Sequence, residues 1–386
     1  MGSTHETDLV LTQPTPAERI KTYTSTYANW GAALELDEYI RREAYMTTVP
    51  VSRNGGITQW ILTDPTCPPD ARPILSSCES IRKNVLVAKP DGTVVDAITH
   101  AVGSVFTDPA HRGNGYASIM MNMVGPQLAR WQGAEMKRGE TWGDIRDGEV
   151  ACSVLYSDIG KKFYAKHGWN PYESTHLEFP PQAAAAGVPE GGESSSPREA
   201  APLGYHELAE LCAVDERLIR ANLAKKSNKT RVSLIPDLDA MLWHLMREDY
   251  MTKHIFGETP TVRGGVVGEH GSRVWAVWTR GYYGGLKKPE GNTMHILRLA
   301  IEDETSGDEY VQEAIEALLR LVRAQAAEWK VNNVEMWNPE PRIRGLIEKA
   351  GIPHEFVERE NDSIASLMWY GQGEVEWVLN EKFGWC

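Results

Sequence analysis

The residues from Val105 to Ala117 combine types and spacing that suit the binding of an anion. Two glycines, Gly113 and Gly115, stand one residue apart where a predicted strand passes through a short loop into a predicted helix. Glycine lets the backbone approach a ligand closely, and the first N–H groups of a helix have no partner within it. They also lie at the positive end of the helix dipole. The segment is therefore predicted to hold a pyrophosphate group, with Arg112 as an added charged donor.

Two nucleotide-binding motifs and a plain turn are the alternatives for this segment. A Rossmann motif that starts at Gly113 would need a third glycine where Ser118 stands. A Walker A motif is excluded, because no Gly-Lys-Ser or Gly-Lys-Thr sequence ends the loop. Taken alone, the segment favours a phosphate loop no more than a plain turn, so the surrounding sequence has to decide.

A second segment lies some fifty residues further on, where residues 163–169 read Phe-Tyr-Ala-Lys-His-Gly-Trp in a predicted helix. With the Arg-Gly-x-Gly-x-Ala spacing of residues 112–117, it resembles the GNAT superfamily of acetyl-CoA-dependent N-acetyltransferases, over residues 60–180. Three further segments, at residues 74–79, 155–160 and 360–386, resemble the fungal lysine N6-acetyltransferases of lysine catabolism. This narrower resemblance extends over nearly the whole chain.

The resemblance implies an α+β protein with a GNAT (acyl-CoA N-acyltransferase) fold, in which helices flank a mixed central sheet. It also implies acetyl-CoA as co-substrate, with Tyr164 protonating the leaving thiolate; the alternative for Tyr164 is a tyrosine packed on the sheet. The cofactor contacts that it implies are the backbone of a splayed strand at Val105, Phe106 and Thr107 and a pyrophosphate loop of Arg112, Gly113, Asn114, Gly115, Tyr116, Ala117 and Ser118.

Acetyl transfer to an amine also requires a neutral amine. An amine like that of lysine has a pKa of about 10.4, so its deprotonation at pH 7 costs about 4.6 kcal/mol and a base is expected. His100 is one candidate, because strand alternation would place it on one face with Ser104 and Phe106. Glu79, in the neighbouring strand, is the other, as base or as contact for the substrate ammonium. A structural or exposed histidine is the alternative for His100, and Asp158 is predicted to cap the following helix.

Residues 181–203 divide the chain near its middle, because they consist almost entirely of Pro, Ala, Gly, Ser and Glu. The sequence predicts a GNAT catalytic domain over 1–180, a flexible linker over 181–203 and a C-terminal domain over 204–386. A long surface loop is the alternative for 181–203. Both halves follow the order β-β-α-β-α-β, with Thr175–Phe179 as the last strand of the first half, which predicts a second GNAT-like α+β domain.

The second half has no glycine loop at the equivalent point, since Ile301 is followed by three acidic residues that would repel pyrophosphate. This half is therefore predicted to be a degenerate GNAT-like domain that forms a wall or lid of the substrate site. Its last ten residues are unusually apolar for a terminus and are predicted to be docked on the protein. A terminal carboxylate that enters the site as base is a remote alternative.

Composition excludes several classes of protein. Forty basic and fifty-three acidic residues leave a net charge of −13, which disfavours nucleic acid as a partner and favours cationic small molecules. Five scattered cysteines predict neither a disulfide framework nor a metal site. No signal peptide or membrane span is predicted, so we expect a cytoplasmic protein.

The predicted function is acetyl transfer from acetyl-CoA to a small-molecule amine, with the side chain of free L-lysine as the leading acceptor. The alternatives are another small amine, such as a polyamine or a secondary metabolite, a protein amine, or a non-catalytic acyl-CoA-binding protein. The sequence leaves the oligomeric state open.

Overall fold

The computed structural model describes residues 9–134, 145–183 and 198–385 of the chain. Its helices are α1 (Pro16–Trp30), α2 (Leu36–Met46), α3 (Tyr116–Leu128), α4 (Lys162–Ala165), α5 (Leu208–Leu223), α6 (Leu238–Phe256), α7 (Asp308–Glu328) and α8 (Pro341–Lys349). Its strands are β1 (Val10–Thr12), β2 (Ile57–Thr63), β3 (Ser76–Ala88), β4 (Val94–Phe106), β5 (Val150–Ser157), β6 (Asn170–Pro171), β7 (Thr175–Phe179), β8 (Ala201–Leu203), β9 (Thr230–Leu234), β10 (Gly264–Val267), β11 (Val274–Tyr282), β12 (Asn292–Ile301), β13 (Asn333–Trp337), β14 (Glu355–Glu358), β15 (Ile364–Trp369) and β16 (Val375–Trp377).

The first sheet contains nine strands in the order β1-β2-β3-β4-β5-β15-β6, with β9 paired to β3 and β16 paired to β9. Strands β2, β3 and β4 form an antiparallel meander, and β5 then runs parallel to β4. Helix α3 connects β4 to β5 and packs against the strands of this sheet. The sheet therefore contains the predicted strand, loop and helix in direct succession.

The second sheet contains seven strands in the order β14-β7-β13-β12-β11-β10-β8. It repeats the plan of the first sheet, because antiparallel β11 and β12 lead through α7 to β13, which runs parallel to β12. The predicted repetition of one order of elements is therefore present in the structure.

Strands cross between the two sheets in both directions: β7 of the first half joins the second sheet, and β9, β15 and β16 of the second half join the first sheet. Strand β7, from the first half of the chain, lies between β13 and β14, and β15, from the second half, lies between β5 and β6. The prediction that Thr175–Phe179 closes the first half is therefore wrong, since its ladders run to residues 334–337 and 355–358. In the predicted linker, residues 184–197 lie outside the described residues, and Ala201–Leu203 form an edge strand of the second sheet.

A shared core holds the two sheets together. One buried cluster contains Ala101 and Val154 of the first sheet together with Trp275 and Val277 of the second. Burial of such apolar surface is the main favourable term in folding, so the halves stabilise one another. Among the described residues, no helix combines the length and apolarity that a membrane span requires.

Local capping explains where the first helix begins. The Thr15 hydroxyl accepts the N–H of Glu18 at 3.1 Å, and the Glu18 carboxylate accepts the N–H of Thr15 at 2.8 Å. This reciprocal pair is a capping box, and Pro16 occupies the first turn, as the sequence predicts. Arg72 also donates to Glu18 and holds the pKa of that carboxyl at about 2.

Candidate active site

Strands β4 and β5 separate part-way along their length. Their parallel ladder ends at Val102 and Leu155, whereas β4 continues to Phe106. The opening between residues 103–106 of β4 and the end of β5 is the fork. On the β5 side, the backbone of residues 103–106 has no ladder partner in the described part of the chain. Such a splayed strand leaves backbone N–H groups available to a ligand.

A β-bulge in β4 reorients the residues at the fork. The register between β3 and β4 changes from Ser77–Phe106 to Glu79–Gly103, so β4 has one extra residue there. Ser104 lies in the bulge with a φ of +53°. Left-handed φ is uncommon outside glycine, and strained residues of this kind cluster at functional sites.

The segment of residues 108–115, the phosphate loop, connects the fork to α3. Gly113 and Gly115 have φ values of +82° and +77°, which favour glycine. Helix α3 begins at Tyr116, and no side chain caps its first N–H groups. A Cβ atom at either glycine would meet no atom within 4 Å, so the loop borders open space. An uncapped helix terminus beside open space can accept an anion.

Two side chains of the phosphate loop are already engaged by the backbone. Arg112 donates through Nε to the Thr107 carbonyl at 3.0 Å, which leaves its other N–H groups exposed. Asn114 donates through Nδ2 to the His111 carbonyl at 3.0 Å and thereby maintains the loop conformation. Among the remaining predicted contacts, Phe106 is buried, and the half-buried ones are Val105, Thr107, Tyr116, Ala117 and Ser118.

The Gly115→Ala variant is expected to weaken CoA binding by at least about tenfold, because its Cβ enters the space open to a phosphate. Gly257 is a matched control, since it has a φ of +81° at the end of α6 and equally open surroundings. Alanine at either position is expected to cost about 1–2 kcal/mol of unfolding free energy. Titration calorimetry with CoA separates the two variants, and an equal loss of affinity in both would contradict a phosphate-binding role.

A cavity of about 390 Å³, the central cavity, lies where the two sheets meet. The bulge residues Gly103 and Ser104 line it from β4, and Thr293 and His295 line it from β12. Trp385 lines it from the end of the described chain. Its volume is typical of a small-molecule site, and it adjoins the fork.

Glu79 carries the carboxyl group of the central cavity that lies nearest the bulge. Its Oε1 accepts the amide N–H of Gln59 at 2.8 Å, and its Oε2 lies 3.4 Å from the Ser104 hydroxyl. Burial and the nearby Glu43 raise the pKa of Glu79 to about 7, against the opposing effect of these two hydrogen bonds. A carboxyl with this pKa exchanges protons near neutral pH, as a general base must.

Tyr164 lies on α4, the helix that follows β5. Its ring belongs to the buried cluster that contains Val102 and Leu155, the last ladder pair before the fork. Burial, with smaller contributions from Cys78 and Asp158, raises the pKa of its phenol. Its hydroxyl makes no hydrogen bond within the described part of the chain. The group therefore stays protonated and has a proton to donate.

The structure places His100 away from the central cavity. Its Nε2 lies 2.8 Å from the Trp131 carbonyl near the end of α3, and burial lowers the pKa of the ring to about 4. Strand alternation would put Ser104 on the same face, but the bulge turns Ser104 towards Glu79 instead. The interpretation of His100 as the base is therefore not retained, since the ring has a structural role.

Residues 176–386 match the family described as the LYC1 GNAT-like C-terminal domain. The chain belongs to the LYC1 GNAT-like family.

Two curated fungal relatives align with almost the full length of this LYC1 GNAT-like protein. A lysine acetyltransferase of Yarrowia lipolytica is 23% identical and spans 96% of this chain and 98% of its own. An uncharacterized protein of Saccharomyces cerevisiae, YGR111W, is also 23% identical and spans 100% of this chain and 99% of its own. The relatives therefore share both halves.

Solved structures confirm the predicted fold. A GCN5-related N-acetyltransferase of Anabaena variabilis has a TM-score of 0.51 at 10% identity, over 94% of this chain and 73% of that one. A Saccharomyces cerevisiae N-myristoyltransferase, solved with bound myristoyl-CoA, has a TM-score of 0.50 at 7% identity, over 95% of this chain and 80% of that one. The predicted GNAT fold with a second GNAT-like domain is confirmed, and the protein is an acyltransferase enzyme.

In this LYC1 GNAT-like protein, the predicted capping role of Asp158 is wrong. The residue before α4 is Lys161, and no side chain caps that helix. Asp158 instead lines the central cavity, and its Oδ1 accepts the N–H of Ser363 at 3.0 Å. Burial and the neighbouring carboxyl of Asp362 raise the pKa of Asp158 to about 6.

The C-terminal segment, residues 378–385, is docked against both sheets. Lys83 of β3 donates to the Gly384 carbonyl at 2.8 Å and to the Trp385 carbonyl at 3.1 Å. Lys382 lies with its Nζ 4.1 Å from the ring centroids of Trp337 and Trp385. The segment therefore supplies two side chains to the central cavity, Lys382 and Trp385. Cys386, with the terminal carboxylate that was considered as a base, lies outside the described residues.

The second sheet has its own separation of parallel strands, and the C-terminal segment occupies it. The ladder of β12 and β13 ends at Ile296 and Met336, and the N–H of Leu299 further along β12 donates to the Glu381 carboxylate at 3.4 Å. Glu381 also contacts the buried guanidinium of Arg298. The backbone that would face a cofactor in an active GNAT domain is thus bound to the protein itself.

Phe383→Ala is expected to lower the free energy of unfolding by about 3–5 kcal/mol, because the Phe383 ring is 1% exposed within the shared core. Urea denaturation provides the measurement. Ile20→Ala is the control, since Ile20 is 53% exposed on α1 and its loss should cost less than about 0.5 kcal/mol. Equal stabilities of the two variants would contradict the docking of the segment.

One group of side chains has the composition of a metal site. His176, Glu178 and Glu335 bring potential ligand atoms within 4.8 Å of one another. However, Nδ1 of His176 lies 3.5 Å from the Arg359 guanidinium, and Glu335 already accepts the indole N–H of Trp337 at 2.8 Å. A guanidinium in this position opposes a second cation, so we infer no metal role.

Proposed function

We propose that this protein transfers the acetyl group of acetyl-CoA to the side-chain amine of free L-lysine. The position of Glu79 carries the proposal: a carboxyl group with a raised pKa lines a small-molecule cavity at the bulge beside the fork. The lysine acetyltransferase of Yarrowia lipolytica supports the choice of acceptor, since it aligns over almost the full length of both chains.

The phosphate loop and the fork fit a CoA thioester. The uncapped N-terminus of α3, together with the left-handed glycines and Arg112 that precede it, would hold the pyrophosphate. The backbone of Val105, Phe106 and Thr107 would hold the pantetheine arm and orient the thioester carbonyl at the fork. Bound there, acetyl-CoA supplies an acetyl group that is activated as a thioester.

Glu79 and Tyr164 would handle the proton transfers. Glu79 takes a proton from the ammonium of the acceptor, directly or through water, and the neutral nitrogen then attacks the thioester carbonyl. As the C–N bond forms and the C–S bond breaks, the Tyr164 hydroxyl gives its proton to the departing thiolate. The nitrogen loses its second proton as the amide forms, and this proton, passed on through water, restores the Tyr164 phenol. The Glu79 carboxyl in the cavity and the buried Tyr164, in the cluster that contains Val102 and Leu155, support this division.

We further propose that residues 1–180 carry the cofactor site and that residues 204–386 form one wall of the acceptor site. The wall that the second half contributes to the central cavity supports this division, with Trp243 and Tyr283 among its large side chains. The exchanged strands β7 and β15 mean that neither half is expected to work as a separate fragment.

Release of free thiol from acetyl-CoA, measured against a panel of amines, tests the proposal. The panel contains L-lysine, L-ornithine, polyamines, aromatic amines and a peptide with a lysine side chain. We expect the highest kcat/KM with L-lysine. Preference for another amine would mean that this amine, and not lysine, is the acceptor. Tight CoA binding without thiol release on any amine would favour a non-catalytic acyl-CoA-binding protein.

A further inference from the structure

Arg247 is a charged side chain of the central cavity without a charged partner. It lies on α6, lines the cavity and is half-buried. Its guanidinium carbon is 4.9 Å from the centroid of the Tyr283 ring. Within the described part of the chain, the guanidinium makes neither a hydrogen bond nor an ion pair. Burial lowers the pKa of Arg247.

Two arginines that are more deeply buried than Arg247 are paired with carboxylates. Arg280 meets Glu248 at 2.6 Å, and Arg298 meets Asp215 at 2.8 Å. A guanidinium removed from water is costly unless a hydrogen-bonding anion compensates it. The unpaired state of Arg247 therefore indicates that its partner is a ligand.

The acidic neighbour that could serve Arg247 is already engaged. Glu43 also lines the cavity, but its Oε1 accepts from Nε of Arg42 at 2.9 Å and from the NH2 nitrogen of the same residue at 2.5 Å. Glu43 influences the pKa values of both Glu79 and Arg247, so it lies within electrostatic range of each. The cavity therefore presents both an unpaired guanidinium, that of Arg247, and a carboxyl group, that of Glu79.

Lys382 is the other cavity cation without a carboxylate within ion-pair distance, but its surroundings differ. Its Nζ is flanked by two indole rings at 4.1 Å, and the carboxyls of Asp158, Glu335 and Asp362 influence its pKa. These acids make its end of the cavity unfavourable for a further anion. Arg247 is the better anion site, and its planar fork suits two oxygens of a carboxylate.

We propose that Arg247 binds the carboxylate of the acceptor and that the enzyme therefore selects an amino acid over a polyamine. The inference rests on the proposed function, since it assigns a residue to the same acceptor site. Tyr283 keeps the guanidinium plane in position by stacking. The acceptor amine is then presented to Glu79 by an anchor at the opposite end of the molecule.

The experiment compares L-lysine with L-lysinamide and 1,5-diaminopentane, which lack the carboxylate but keep the side-chain amine. For the wild-type enzyme we expect kcat/KM to be about 10- to 100-fold higher with lysine, the effect of a charge-assisted hydrogen-bonded pair. In Arg247→Met this preference should disappear through a rise in KM for lysine, while the two other amines react as before. Arg247→Lys should restore part of it.

Arg41→Met is the matched control, because the Arg41 side chain is 66% exposed and pairs with Glu38. Equal kcat/KM for lysine and lysinamide in the wild-type enzyme would overturn the inference without any variant. Activity of the wild type on none of these amines would instead contradict the proposed function. If Arg247→Met fails to fold, the comparison of the three amines in the wild-type enzyme and in Arg247→Lys still tests whether Arg247 binds the carboxylate.

Discussion

In Tyr164→Phe, kcat is expected to fall by about 10²- to 10⁴-fold while the affinity for CoA stays nearly unchanged. The hydroxyl is the only group removed, and burial raises its pKa, so in the wild type it retains a proton for the leaving thiolate. The ring stays in the buried cluster beside Val102 and Leu155, so the fork keeps its shape. Single-turnover thiol release and calorimetry with CoA measure the two quantities separately.

A stability measurement distinguishes this catalytic role from a packing role. The Tyr164 hydroxyl has no hydrogen bond in the described residues, so its removal should change the unfolding free energy by less than about 0.5 kcal/mol. Tyr310→Phe is the control, because the Tyr310 hydroxyl donates to the Ser272 carbonyl at 2.8 Å on the second half. A Tyr164→Phe enzyme with wild-type kcat would remove Tyr164 from the mechanism.

Local chemistry explains why the strand, loop and helix around the proposed cofactor site could be predicted. Gly113 and Gly115 have the left-handed φ values that their spacing suggests, and α3 begins directly after them. These features depend on a dozen consecutive residues. The sequence therefore predicts the strand, the loop and the helix in order, and the structure adds the bulge at Ser104 that no pattern indicates.

Long-range pairing explains most of what could not be predicted. The alternation of side chains along Thr175–Phe179 predicts a strand correctly, but it carries no information about which sheet that strand joins. The same holds for Ile364–Trp369, which pairs with β5 of the other half. Residues of the first half thus complete the second sheet, and an assignment of domains by position along the chain cannot reveal this exchange.

The acceptor side of the site shows the same limit at the level of single residues. Arg247 is followed by two acidic residues, Glu248 and Asp249, and the sequence alone reads as an ordinary charged helix. Those two pair with other arginines, Arg280 and Arg263, which leaves Arg247 to the cavity. Only the packing of α6 against β11 determines that outcome.

Glu79→Gln is expected to lower kcat/KM for the amine by about 10²- to 10⁴-fold and to alter its pH dependence. The base acts when deprotonated, so wild-type kcat/KM should rise with pH through about 7, the pKa that burial and Glu43 give Glu79. Glutamine cannot lose a proton, so this ascending limb should vanish. The remaining rise of kcat/KM with pH should follow the deprotonation of the acceptor amine in solution, which has a pKa of about 10.4.

Two other groups of the cavity titrate in the same range, and variants separate them from Glu79. Burial raises the pKa of Asp158 to about 6, and burial lowers the pKa of Lys382 to about 7. The ascending limb of kcat/KM near pH 7 could persist in Glu79→Gln but be lost in Asp158→Asn or Lys382→Met. That result would assign the role of base to Asp158 or Lys382 instead of Glu79. Glu348→Gln, which removes an exposed carboxylate paired with Arg344 on α8, should leave the profile unchanged. Because Gln59 can still donate to a glutamine at position 79, loss of the limb without loss of stability would assign the proton transfer to the Glu79 carboxylate.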